Sequence, residues 1–127
     1  MNRRELLLSA AALAVPASLA RSEPAKPARA GALRILILGG TGFIGPHFVR
    51  EALAHGHAVT LFNRGKSQAQ PTPGVETLLG DRDGQLDSLK GRDWDVVIDN
   101  SGYVPRHVRQ TTELLRERVR HYLFIST

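Results

Sequence analysis

Four glycines in one short stretch are the residues best placed to do chemistry. They stand in Leu36-Ile37-Leu38-Gly39-Gly40-Thr41-Gly42-Phe43-Ile44-Gly45. An apolar run stops at them and a helical pattern starts. Gly40, Gly42 and Gly45 fit a G-x-G-x-x-G spacing, and Gly39, Gly42 and Gly45 fit G-x-x-G-x-x-G. Both readings require the same physics. A residue without Cβ takes positive φ in the turn. It lets the main chain approach a pyrophosphate, and lets the helix sit close on the strand. The helix start then offers unpaired N–H groups and partial positive charge to phosphates. With Thr41, Phe43 and Ile44 between them, these glycines form the first set of candidate cofactor-binding residues.

Further candidates stand at the ends of later apolar runs. An NAD fingerprint expects a carboxylate about twenty positions after the glycines, to take the ribose hydroxyls. Asn63 and Arg64 stand there instead. A carboxylate repels a 2′-phosphate, whereas an arginine fork pairs with it. The expected cofactor is therefore NADP, with NAD as the alternative. Asp81 is placed to accept an adenine amino group, unless Arg82 pairs with it. Asn100, Ser101 and Gly102 follow the next run, where glycine lets main chain pass close to the ribose and nicotinamide side. Asp99 reads as a strand-end residue bonding nearby N–H groups. The histidines are scattered at His47, His55, His57, His107 and His121, with no convincing zinc spacing. No G-x-S-x-G elbow is present.

These residues need strands that end together and helices that start beside them. Nearly continuous apolar runs at 33–38 and 95–99 read as central parallel strands. Residues 58–62 and 75–79 read as two more strands, and 122–126 as a fifth. Residues 43–55 carry helical offsets closed by Gly56. Leu86 and Leu89 mark a short helix or turn. Residues 105–118 form a last helix, with Pro105 in its first turn. Alternating strands and helices imply an α/β doubly wound parallel sheet in the order 3-2-1-4-5. In that order a ligand lies at the carboxyl ends of strands one and four.

The chain has 127 residues, 42% hydrophobic and 23% charged, with net charge +5. That suits one folded domain. Only the last stretch is dense in arginine, and a solvated helix face explains it, so no nucleic-acid partner is expected. With no cysteine, disulfides, thiolate metal sites and cysteine nucleophiles are excluded. Residues 1–20 combine Arg3-Arg4, an apolar run over 6–15, and small residues Ser18 and Ala20 at a cleavage point. This is signal-peptide architecture, too short to span a bilayer stably. It resembles a twin-arginine export signal, with Asn2 and Leu6 departing from the usual residues. A periplasmic or otherwise exported location is expected, with no stable membrane anchor after cleavage. If the signal is unused, the location is cytoplasmic. Residues 21–32, with Pro24 and Pro27, read as a spacer. The folded domain is expected at 33–127.

Leu38 to Gly45, Gly80-Asp81 and Asn100-Ser101-Gly102 together resemble the cofactor half of an extended short-chain dehydrogenase/reductase, of the NAD-dependent epimerase/dehydratase type. The resemblance implies a Rossmann-like sheet, NAD(P) and redox chemistry on a small molecule, sugar nucleotides being the family's common substrates. It places Thr127 at the family's catalytic serine or threonine, after Phe124-Ile125-Ser126. The family's Tyr-x-x-x-Lys is absent from these 127 residues. The expectation is a piece of an enzyme, incomplete at its C-terminus, that binds dinucleotide weakly and turns over nothing. A non-catalytic dinucleotide-binding module is one alternative, and an RNA-binding relative is another. Any oligomer is expected only of the full-length protein.

Overall fold

The apolar run ahead of the glycines forms β1 (Arg34–Leu38), the centre of a five-stranded parallel sheet. The structure, a computed structural model, describes residues 31–66 and 71–126. The leader at 1–20, most of the spacer at 21–32, and Thr127 lie outside the described residues. After β1 come α1 (Gly45–Ala54), β2 (Ala58–Asn63), β3 (Glu76–Leu79), a 3-10 turn (Asp87–Leu89), β4 (Trp94–Asp99), α2 (Pro105–Leu115) and β5 (Val119–Phe124). The strand order is β3-β2-β1-β4-β5, as the sequence implies.

Successive strand residues face opposite sides, and β1 is apolar on both. Ile35 and Ile37 pack with Val59 and Leu61 of β2 against Val49 and Ala52 of α1. Leu36 and Leu38 pack on the other face with Phe62, Leu89, Val97 and Leu115 of α2. Each such buried side chain contributes about 1.5–3 kcal/mol. Two apolar layers therefore hold the sheet, and the polar contacts described below serve geometry more than cohesion.

Register decides what meets at the carboxyl edge. Leu38 aligns with Phe62 in β2 and with Asp99 in β4. Gly39, Asn63 and Asn100 therefore leave the sheet side by side. Gly39 N–H donates to the Phe62 carbonyl (3.2 Å), and Asn100 N–H donates to the Leu38 carbonyl (3.0 Å).

Most boundaries shift by one or two residues from the sequence reading, and two shift by three. The last strand begins at Val119, not Tyr122, and ends at Phe124. Val119 pairs with Trp94 and His121 with Val96. Among the described residues this strand stands at the sheet edge, where Arg120 and His121 are exposed. Their polarity hid its start. The last helix stops at Leu115 rather than 118, because the chain must turn there to enter β5.

Candidate functional site

The turn after β1 is built by glycines with different tasks. Gly39 has φ +84°, left-handed backbone that a side chain rarely adopts, and a Cβ there would come 2.7 Å from Ser101 Cβ. A Cβ on Gly40 would collide with Leu61. One on Gly45 would lie 2.5 Å from the Gly40 carbonyl carbon, so Gly45 lets α1 sit against the turn. Gly42 differs from all of these. A Cβ there meets nothing within 4 Å. Among the described residues no contact accounts for glycine at that position, but a ligand lying over the turn would. Among the described residues no side chain caps α1; Pro46 has no N–H and the His47 N–H donates to the Ile44 carbonyl (3.0 Å), which leaves the Gly45 N–H of the first turn for an anion.

A cleft of about 570 Å³ opens over this turn. Among its lining residues are Gly39, Thr41, Gly42, Phe43, Ile44, Asn63, Arg64, Asp81, Arg82, Asn100 and Ser101. The structure thus gathers eleven of the fourteen sequence-predicted cofactor residues around one opening. Gly40, Gly45 and Gly102 support it from behind. A Cβ on Gly102 would approach Val108 and Phe124, at 2.7 and 2.9 Å. Packing against α2 and β5 is by itself enough to require glycine there.

On one side of the cleft, the Asn63 carboxamide oxygen accepts the Gly65 N–H at 2.8 Å, fixing the turn out of β2. This leaves Arg64 and Lys66 exposed along the cleft. On the other side, the Asp81 carboxylate accepts the Asp83 N–H at 2.8 Å. Asp81 is not paired with Arg82, as one reading of the sequence had it. The Arg82 guanidinium turns inward to Asp99, with Nη1–Oδ1 at 2.6 Å and Nη2–Oδ2 at 2.8 Å. It also donates from Nε to Thr111 (3.1 Å) and from Nη1 to Ser101 (3.1 Å). Asp99 is fully buried and Arg82 is 6% exposed. The Asp99 carboxylate also accepts the Ser101 N–H at 3.2 Å and the Tyr122 hydroxyl. Bonding of the Ser101 N–H matches the strand-end role read from the sequence. The arginine partner was not foreseen. With its fork closed on Asp99, Arg82 bounds the cleft but is not a free cation in it. Burial, then the Asp99 hydrogen bond, pushes the Tyr122 phenol well above the ordinary tyrosine range, so it stays protonated and donating.

Asp83 and Arg106 make a second forked pair at the rim, at 2.8 and 3.0 Å. The Arg106 hydrogen bond holds the Asp83 carboxyl below the usual range. Both ends are exposed, so this pair adds little to stability.

Tyr103 and His107 also line the cleft, and sequence reasoning did not single them out. Tyr103 is 84% exposed. The His107 Nδ1 is buried without a hydrogen-bond partner among the described residues. Neither belongs to a motif, so the sequence offered no signal for them. Thr127, the expected catalytic residue, lies outside the described residues.

Comparison with known proteins agrees with this geometry. Among curated proteins, the chain is 36% identical over 110 residues to the chloroplast stem-loop binding protein of 41 kDa b from Arabidopsis thaliana. That match covers 74% of this chain and 29% of the relative. Among solved structures it resembles a UDP-galactose 4-epimerase, at TM-score 0.61 and 24% identity, over 73% of this chain and 38% of that one. It also resembles the Bordetella bronchiseptica enzyme WbmG in complex with NAD and UDP, at TM-score 0.57 and 17% identity, over 73% of this chain and 37% of that one. Those two likenesses show the shared Rossmann-like fold. The chain thus spans between a quarter and two-fifths of the length of these proteins. The model of the NAD dependent epimerase/dehydratase family matches residues 35–124, from the first strand through the last. With the glycine turn, the strand order and the cleft between β1 and β4 all in that span, the chain belongs to the NAD dependent epimerase/dehydratase family.

Proposed function

We propose that this chain is the NADP-binding portion of a redox enzyme acting on a small molecule. The observation that carries the binding claim is the open space over Gly42, above a helix start with no side-chain cap. The pyrophosphate would rest on main chain from Gly39 to Gly45. Asn63 would meet the adenosine ribose, and Asp81 the adenine. Arg64 and Lys66 would hold the 2′-phosphate. Both are exposed cations at the end of β2, where an NAD site expects a carboxylate. Asn100 and Ser101 would border the nicotinamide half. When bound, the cofactor supplies hydride transfer, while this chain's own residues bind and orient it. The substrate class carried over from the relatives is a sugar nucleotide. Catalysis would call on Thr127 and on residues outside these 127, because no Tyr-x-x-x-Lys lies within them.

Arg64→Ala is expected to weaken NADPH binding more than NADH binding, by roughly 1–3 kcal/mol for a lost charged hydrogen bond. Parallel fluorescence titrations read the difference. Equal loss for both nucleotides removes the case for NADP.

A second reading follows from the chloroplast relative's name together with Arg109, Arg116 and Arg120, all exposed around α2 and β5. It makes the chain an RNA-binding relative. Retention of an RNA hairpin that falls steeply with salt would favour it over the dinucleotide.

A further inference from the structure

We infer that Arg82 is a positioning residue: it straps the adenine-side loop to the loop after β4, so that both halves of a dinucleotide meet one pre-set site. The inference deepens the cofactor reading and rests on it.

Three separate segments border the cleft: the glycine turn, the loop at 81–83, and the loop at 100–102. They converge on Ser101. Its Cβ backs Gly39, its N–H donates to Asp99, and its hydroxyl oxygen accepts a hydrogen bond from Arg82 Nη1. The Asn100 amide reaches back to the Gly39 carbonyl at 3.3 Å. Arg82 is the only one of these residues that comes from the adenine side. Its fork reaches β4 through Asp99 and α2 through Thr111.

A guanidinium suits this task and an ammonium does not. The planar fork engages Asp99 through two nitrogens while Nε holds Thr111. A lysine keeps the charge but has one point of attachment. The pair is buried, so salt barely screens it, unlike the exposed Asp83–Arg106 pair beside it. Two apolar layers already hold the sheet. What the buried pair adds is direction. Without it, a ligand touching both loops must order them as it binds, and that lowers its affinity. A ligand touching only one loop escapes most of the loss.

The experiment compares NADPH with ADP on the full chain, for the unaltered protein, Arg82→Lys and Thr111→Val, by calorimetric titration with a thermal melt for each. Thr111 is buried and does not line the cleft. Its hydroxyl influences a ligand only through the groups it touches, so Thr111→Val serves if Arg82→Lys fails to fold. The expected result is about a tenfold or greater loss of NADPH affinity, with ADP falling severalfold less. A merely structural role lowers the melting temperature and scales both ligands equally. Equal losses, or none, in the variant that folds overturn the inference. If the unaltered, folded chain binds neither ligand, the cofactor reading itself fails.

Discussion

Gly42→Val is expected to abolish dinucleotide binding while the fold survives. The two halves of that statement have separate causes. A Cβ at Gly42 meets nothing within 4 Å, and its φ lies outside the left-handed region, so valine costs the folded chain little. The same side chain would project into the space over the turn, where the pyrophosphate is placed. Keeping the phosphates off the main-chain N–H groups should cost at least about a hundredfold in affinity, or about 2.8 kcal/mol. Gly45→Val is the contrasting case. Its Cβ would sit 2.5 Å from the Gly40 carbonyl carbon, so the helix must move and the fold itself suffers. Circular dichroism and an NADPH titration on both variants separate the two outcomes. Retained affinity in a folded Gly42→Val chain would place the ligand elsewhere.

The second large effect belongs to Asp99. Asp99→Asn keeps the shape but leaves the Arg82 guanidinium buried without its counter-charge. Removing one partner of a buried pair typically costs about 3–5 kcal/mol. A small domain has only about 5–15 kcal/mol in all. The variant should therefore unfold at much lower urea. Arg82→Met combined with Asp99→Asn should recover at least half the loss, because the orphaned cation is gone. The asparagine oxygen can still accept from the Ser101 N–H, and its NH2 can donate to the Tyr122 oxygen. Urea melts of the two variants decide it. A single variant within about 1 kcal/mol of the parent would mean that the pair is not desolvated as the structure has it.

The sheet was legible because its signals are local. Continuous apolar runs at β1 and β4, each closed by a turn residue, suit buried parallel strands, and their alternation with helices implies right-handed crossovers. The glycine turn was legible for the same reason. The buried ion pair was not. Arg82 sits next to Asp81 in sequence and near Asp83, so a sequence reading offers it close carboxylates and hides the distant one. Asp99 lies seventeen residues on, and only the packing of the loop over β4 brings it into reach. The start of β5 was obscured by Arg120 and His121, whose polarity reads as helix end or loop unless the strand is known to be an edge. Glycine after a strand fits a cofactor contact at Gly102, and the second demand on it, close packing against α2 and β5, is not visible in the sequence. Tyr103 and His107 lacked any motif, and enter the site only because α2 begins beside the cleft.

The most direct measurement is a nuclear magnetic resonance titration of the isotopically labelled, folded chain with NADP. The expected result is that the largest amide shifts fall on Thr41, Gly42, Phe43 and Ile44, with a second group at Arg64 and Lys66. Saturating dinucleotide that leaves the amides of the glycine turn unmoved would contradict the binding site described above.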